Sequence, residues 1–162
     1  MAVIRYSPIG VVHSPLKIQA GSPIQSVSAK TVQGFVEVFP PYVKGLKDIT
    51  GFSHLILIYH FHLASRPMLI LKPYLEKKRV HGIFATRASA RPNSIGISIV
   101  RVTGVRGRRI YVRDLDIIDG TPLLDIKPYV PTFDTRHVTG IGWYKGKLRN
   151  LPSTSADSRF GK

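Results

Sequence analysis

Cysteine is absent from the 162-residue chain. Its absence excludes disulfides, thiolate nucleophiles and zinc held by thiolates. Long apolar runs are missing as well: the longest, Leu55–Tyr59, falls far short of the roughly 20 residues a membrane-spanning helix needs. The start, Met1-Ala2-Val3-Ile4-Arg5, has neither the apolar stretch nor the cleavage site of a secretory leader, so a cytoplasmic location and no membrane partner are expected. Acidic residues are scarce, nine against 24 lysines and arginines, which leaves a formal net charge of +15. A surplus of that size points to a polyanionic partner, nucleic acid above all, bound with strong salt dependence. The alternative is charge kept for solubility or thermostability.

The charge is unevenly distributed. Between Lys77 and Arg113 there are ten basic residues and no acidic one, and the next stretch then supplies Asp114, Asp116, Asp119, Asp125 and Asp134, five of the chain's nine acids. A basic region followed by an acidic cluster suits a protein that holds a polyanion beside a small cationic or polar ligand.

Strand patterns dominate. Ile9–His13 is short and β-branched, Gly34–Phe39 alternates with Val36 and Val38 on one face, and Leu55–His62 is rich in β-branched and aromatic residues. Ile95–Val105 and Arg109–Ile118 read as a hairpin across Gly104-Val105-Arg106-Gly107. Tyr42–Ile49 after Pro40-Pro41 has helical spacing, and a second short helix is sketched around Met68–Lys78, broken by Pro73. Fourteen glycines and twelve prolines punctuate these segments closely, favouring a mainly β, single-domain barrel or sandwich over a βαβ fold. Residues 1–150 are expected to form that domain. Residues 151–162 hold three serines and a single glycine with few anchors, and are expected to be a flexible tail. Lys17–Lys30 reads as a long loop, and such loops often carry function.

Three segments could carry chemistry. In Phe84–Gly96, Arg87 and Arg91 stand among small residues before Pro92-Asn93, and Pro92 biases Arg91 towards extended backbone. Two guanidinium forks on a loop suit carboxylates or phosphates, and a solvated basic loop is the alternative. In Gly51–His62, His60 and His62 share a face at a strand end, but zinc wants at least three protein ligands, so hydrogen bonding or stacking is favoured and no metal is expected. In Asp116–Tyr129, Asp119-Gly120-Thr121-Pro122 is a turn whose backbone groups could grip a ligand, and Asp125 and Lys127 share a face if extended. The alternative there is a turn followed by a self-neutralising pair.

These same motifs resemble the TsaA-like family: Gly51-Phe52-Ser53-His54 running to Phe61-His62, Phe84-Ala85-Thr86-Arg87 with Arg91-Pro92-Asn93 and Ile95-Gly96, and Asp119-Gly120-Thr121-Pro122 with Asp125-Ile126-Lys127-Pro128-Tyr129. The likeness runs from about Ile9 to about Pro131. It implies an S-adenosyl-L-methionine-dependent tRNA methyltransferase built on a β-barrel, homodimeric, with the cofactor near the subunit interface. The implied target is N6-threonylcarbamoyladenosine at tRNA position 37, beside the anticodon, methylated on N6. Bacterial members carry a further C-terminal domain. This chain resembles the compact form, so its grip on tRNA is expected from the barrel.

The resemblance assigns cofactor contacts to Pro23, Ile24 and Gln25, where Ile24 replaces the usual arginine, and to His60, Phe61, Arg87, Ile97, Ile118, Asp119, Gly120 and Thr121. The chemistry asks for oxygens near the sulfonium and amine, donors for the carboxylate and an apolar slot for the adenine. No Gly-rich strand–helix fingerprint of a doubly wound methyltransferase is present, so the site must be of another kind. Positioning alone can remove roughly 7–11 kcal/mol of a transfer barrier, so a strong base is not essential. Asp125 or His60 is the expected proton acceptor or polarising group. Arg91, Asn93, Lys127, Tyr129, Arg106, Arg108 and Arg109 are the expected substrate contacts. The competing readings are a non-catalytic RNA-binding barrel that keeps the pocket, and a methyltransferase acting on another substrate.

Overall fold

The computed structural model describes residues 3–161. Six strands close into an antiparallel barrel: β1 (Gly10–His13), β2 (Gln33–Val38), β3 (His54–His60), β6 (Ile95–Arg106), β7 (Arg109–Arg113) and β8 (Pro122–Pro128), in the order β1-β2-β7-β6-β3-β8. The remaining two, β4 (Ile70–Leu71) and β5 (His81–Gly82), pair outside the barrel. The circuit is completed where Gly10 and Val11 of β1 meet Leu123 and Pro122 of β8.

Period-two alternation determines the inward face. Val12, Val36, Val38, Leu55, Leu57, Val100, Ile110, Val112 and Leu123 point into one core, each at most 1% exposed. Their partners along each strand face outwards, and on β3 and β6 that outer face is aliphatic. The long hairpin forms as expected, but its turn is tighter and later than the sequence suggests: Arg106 pairs Arg109, leaving Gly107-Arg108 as the loop, with Gly107 at φ +57°. β7 stops at Arg113 rather than running to Ile118, because Asp114 adopts φ +65° and turns the chain across the barrel mouth.

The helical expectations change type. Tyr42–Ile49 falls in two 3₁₀ segments, Pro40–Leu46 and Ile49–Gly51, with Gly45 weakening the first and Asp48 at φ +65° separating them. Met68–Lys78 holds no helix, and Ile70–Leu71 within it is strand. A single α-turn, Pro131–Asp134, follows β8.

The segment after Leu151 was expected to lack anchors, and the structure supplies several. Phe160 is 2% exposed and packs with Leu71, Ile83 and Ala90 in a second small core. Ser155 bridges Pro23 and Gly161 bridges Ala64. Sequence hides this because one phenylalanine among serines has no periodicity. Phe160→Ala should lower the unfolding free energy by about 3 kcal/mol in a urea titration, whereas loss from an unpacked tail would be close to zero.

Candidate functional site

Antiparallel closure sends β1, β3 and β7 in one direction, so the segments that follow them leave the barrel at the same end. These segments (residues 14–32, 61–94 and 114–121) enclose a cavity of about 310 Å³, within the range of small-molecule sites. A fourth wall comes from the C-terminal stretch, through Trp143, Tyr144, Ala156 and Phe160.

A hydrogen-bonded chain lies at the cavity floor. Ser98 Oγ donates to Asp116 Oδ1 at 2.6 Å and stands 3.0 Å from the Tyr59 hydroxyl, which therefore donates to Ser98. Burial, and then the Asp116 charge, hold the Tyr59 phenol well above its ordinary range, so it stays a neutral donor. Dense packing pushes the Asp116 carboxyl up to about 6, against the opposing effects of the Ser98 hydrogen bond, backbone N–H groups and Arg87. Asp116 is half-buried because its open side is the cavity itself. Gly96 makes this floor possible: a Cβ there would collide with the rings of Tyr59 and Phe61, which meet edge-on at 5.3 Å.

Of the residues expected from sequence, Pro23, Ile24, Gln25, Phe61, Arg87, Arg91, Ile97, Ile118 and Thr121 line this cavity. Arg87 Nη1 donates to Gln25 Oε1 at 3.1 Å, tying the Arg loop to the Lys17–Lys30 loop. Arg91 is a loop clamp as well as a lining residue: its Nη1 donates to the Thr86 carbonyl at 2.9 Å and to that of Ile83 at 3.3 Å. Thr121 Oγ1 donates to the Ile118 carbonyl at 2.6 Å and lies 3.3 Å from His62 Nδ1.

Other expected residues lie elsewhere. His60 follows the inward Tyr59 and therefore faces out, exposed, while Phe61 and His62 turn into the cavity; the expected sharing of one face by His60 and His62 ends with the strand. Asp125 is on the outer side of β8, 2.8 Å from Lys127 Nζ, so it forms the self-neutralising pair and is not in the cavity. Tyr129 packs edge-on to His54 and its hydroxyl lies 3.2 Å from Thr135. Asn93 is exposed beyond the rim. Asp119 turns away from the cavity, accepting from Ser14 N at 2.9 Å and pairing with Lys17 at 2.7 Å; those contacts hold its carboxyl below the usual range. Gly120, at φ +75°, shapes the turn without lining the cavity. Arg106, Arg108 and Arg109 surround the β6–β7 turn, which antiparallel order puts at the opposite end of the barrel.

Sequence reasoning passed over Asp116, Tyr59 and Ser98. A carboxylate between two apolar residues, Leu115-Asp116-Ile117, was the available signal; the positive φ at Asp114 that directs it inward has no sequence mark. Trp143 and Tyr144 had none, because they reach the cavity from a distant segment: Trp143 Nε1 donates to the Ala85 carbonyl at 2.7 Å, and the ring stacks on His81 at 4.6 Å.

An antiparallel barrel with a cavity at its loop end, floored by a carboxylate and walled by aromatic rings and arginines, is a small-molecule binding site on a non-Rossmann frame. Residues 11–135 match the tRNA-methyltransferase O N-terminal domain, and the chain belongs to that family. It is 53% identical to a Pyrococcus abyssi protein named "Probable S-adenosyl-L-methionine-binding protein", over 98% of this chain and 85% of that one. It is 34% identical to the Escherichia coli tRNA (adenine(37)-N6)-methyltransferase over 81% of this chain and 60% of the relative. The crystal structure of TrmO from Pseudomonas aeruginosa superposes with a TM-score of 0.73 at 36% identity, covering 88% of this chain and 63% of that one. The chain thus spans most of the Pyrococcus protein but under two thirds of the two bacterial proteins.

The raised Asp116 pKa has a stability consequence. The folded state holds the proton up to about pH 6 while the unfolded carboxyl releases it near its ordinary value of 3.8. Between those values the folded state binds more protons, so the contribution is full at low pH and is lost as pH rises through about 6. Asp116→Asn should therefore gain stability relative to the wild type between pH 4 and pH 7, measured as the difference in urea midpoints. Asp119 and Asp157, with lowered carboxyl pKa values, act equally in both proteins and cancel.

Proposed function

We propose that the cavity binds S-adenosyl-L-methionine and that the protein transfers its methyl group to N6 of adenosine 37 in tRNA, with the threonylcarbamoylated nucleoside as substrate. One observation carries the reading: a half-buried carboxylate with pKa near 6 faces a cavity of about 310 Å³ beside an arginine and several aromatic rings. Family membership supports it, as do the Pyrococcus and Escherichia coli relatives.

The lining residues fit the cofactor's chemistry. Asp116 supplies negative charge where a sulfonium or amine needs it, Arg87 offers N–H donors to a carboxylate, and Phe61 with Ile97 and Ile118 forms an apolar slot for a planar ring. When bound, the cofactor supplies an electrophilic methyl group. The chain's own part is to hold, orient and exclude water, with the Tyr59–Ser98–Asp116 chain keeping the carboxylate in place. Asp116, rather than Asp125, is thus the carboxylate that faces the cavity.

The exposed aliphatic face of β3 and β6 supports a homodimer. Ile95, Ile97 and Ile99 are 43%, 54% and 41% exposed, beside Ile56 and Ile58. Because Ile95 and Ile97 also line the cavity, a second copy on this face stands next to the cofactor site. Among the described residues no helix is long and apolar enough to cross a membrane, and a tRNA substrate accords with a cytoplasmic location.

Titration calorimetry with S-adenosyl-L-methionine should show saturable binding that strengthens as pH rises through about 6. Asp116→Asn should weaken it roughly 10- to 100-fold and flatten that pH dependence, as loss of a charge-assisted contact predicts. Asp125→Asn should leave affinity within about twofold, since an exposed pair contributes little. Labelled cofactor with bulk tRNA, digested to nucleosides, should place the label on the N6-methyl derivative of threonylcarbamoyladenosine. Saturable cofactor binding with no labelled nucleoside would instead favour a non-catalytic RNA-binding barrel.

A further inference from the structure

The barrel carries a second concave surface that the cofactor reading does not use. The turn Ile118–Thr121 is a wall between two depressions: Ile118 and Thr121 line the cofactor cavity, whereas Asp119 lines a shallower one with His13, Lys17 and Phe35. From this second depression an aromatic row crosses the outer face of the sheet. His13 pairs Phe35 and Phe35 pairs Tyr111 across β1, β2 and β7. The His13 and Phe35 rings stack at 4.5 Å and 23°, and Phe35 to Tyr111 is 5.7 Å.

Cations border the row. The Arg109 guanidinium lies 5.1 Å from the Phe35 centroid and that of Arg106 lies 5.9 Å from Tyr111. Arg106, Arg108 and Arg109 are exposed, and Lys17 stands at the cavity side. Among the described residues only Glu37 and Asp119 pair with them: Glu37 is shared by His13, Arg108 and Arg109, and Asp119 pairs with Lys17. Arg106 has no ion pair among the described residues. An isolated stabilising ladder needs no surrounding arginines, whereas aromatic faces interleaved with guanidinium groups are what unpaired nucleotides require: rings for the bases and cations for the phosphates.

We propose that the outer face of β1, β2 and β7 is the RNA-docking surface, on which an unstacked base next to the target adenosine packs against His13, Phe35 and Tyr111 while Lys17, Arg106 and Arg109 meet phosphates. The occupant is single-stranded RNA of a tRNA loop, and the inference rests on the tRNA reading above. The shared turn keeps a base on this row next to one entering the cavity. The arginines towards the far end of the barrel then follow the backbone away from the loop. This gives Arg106, Arg108 and Arg109 a role despite their distance from the cofactor cavity.

The test uses the full chain with fluorescently labelled unmodified tRNA, measuring anisotropy across a salt series and, in parallel, S-adenosyl-L-methionine binding by calorimetry. Phe35→Leu combined with Tyr111→Leu keeps apolar bulk and removes the stacking faces. It should weaken tRNA roughly 10- to 100-fold with cofactor affinity unchanged. Arg106→Gln should reduce the slope of log affinity against log salt by about one. The inference is overturned if both variants bind tRNA within twofold of the wild type at every salt concentration while still binding cofactor. If the double leucine variant fails to fold, Arg106→Gln alone decides, because its side chain is exposed. If the wild type binds tRNA on this face but takes up no cofactor, the cofactor reading fails and the docking surface stands.

Discussion

Everything functional in this molecule depends on closure of the barrel between β1 and β8. Two residue pairs, Gly10 with Leu123 and Val11 with Pro122, complete the circuit and leave no open edge in the main sheet. Glycine at position 10 is required there, since a Cβ would run into the Glu37 backbone. Once the circuit is complete, direction is no longer free. Three strands run towards one end, and the segments that follow them must converge there. The cavity is a consequence of that parity.

The convergence brings together groups that have no business near one another in sequence. Tyr59 lies near the end of one strand, Ser98 near the start of another and Asp116 beyond a third, yet they form one hydrogen-bonded chain. A carboxylate in so crowded a place is held partly protonated, and its charge becomes available to a cationic partner. The arginines are divided by the same logic. Arg91 is spent on carbonyls of its own loop, Arg87 is tied to Gln25 at the cavity, and the group around the β6–β7 turn is carried to the far end.

The C-terminal stretch adds a wall that lies outside residues 11–135 of the family domain. It is fastened by a buried cluster: Glu76 accepts from Lys147, His81 Nε2 lies 3.5 Å from the Glu76 carboxylate, and His81 stacks on Trp143. Glu76 is 5% exposed, so its charge is matched inside the fold rather than by water. Such a clasp joins segments some seventy positions apart, and the buried Phe160, with the Ser155 and Gly161 bridges, holds the segment that follows against the same wall.

Alternation along Gly34–Phe39, the β-branched and aromatic runs Leu55–His62 and Ile95–Val105, and close punctuation by glycine and proline were enough to indicate a mainly β domain, because short segments of that kind pack as strands rather than helices. The Arg87 loop and the Thr121 turn were also legible, as were Pro23, Ile24 and Gln25, since family motifs are local strings. What only tertiary structure decided is which way each candidate faces. Asp125 and Asp116 look alike as residues, but one lies outward on a strand beside Lys127, and a positive φ at Asp114 directs the other into the cavity. That choice is made by the register shift between Leu123 and Asp125 on β8 and by one backbone angle at Asp114, which composition and spacing do not record.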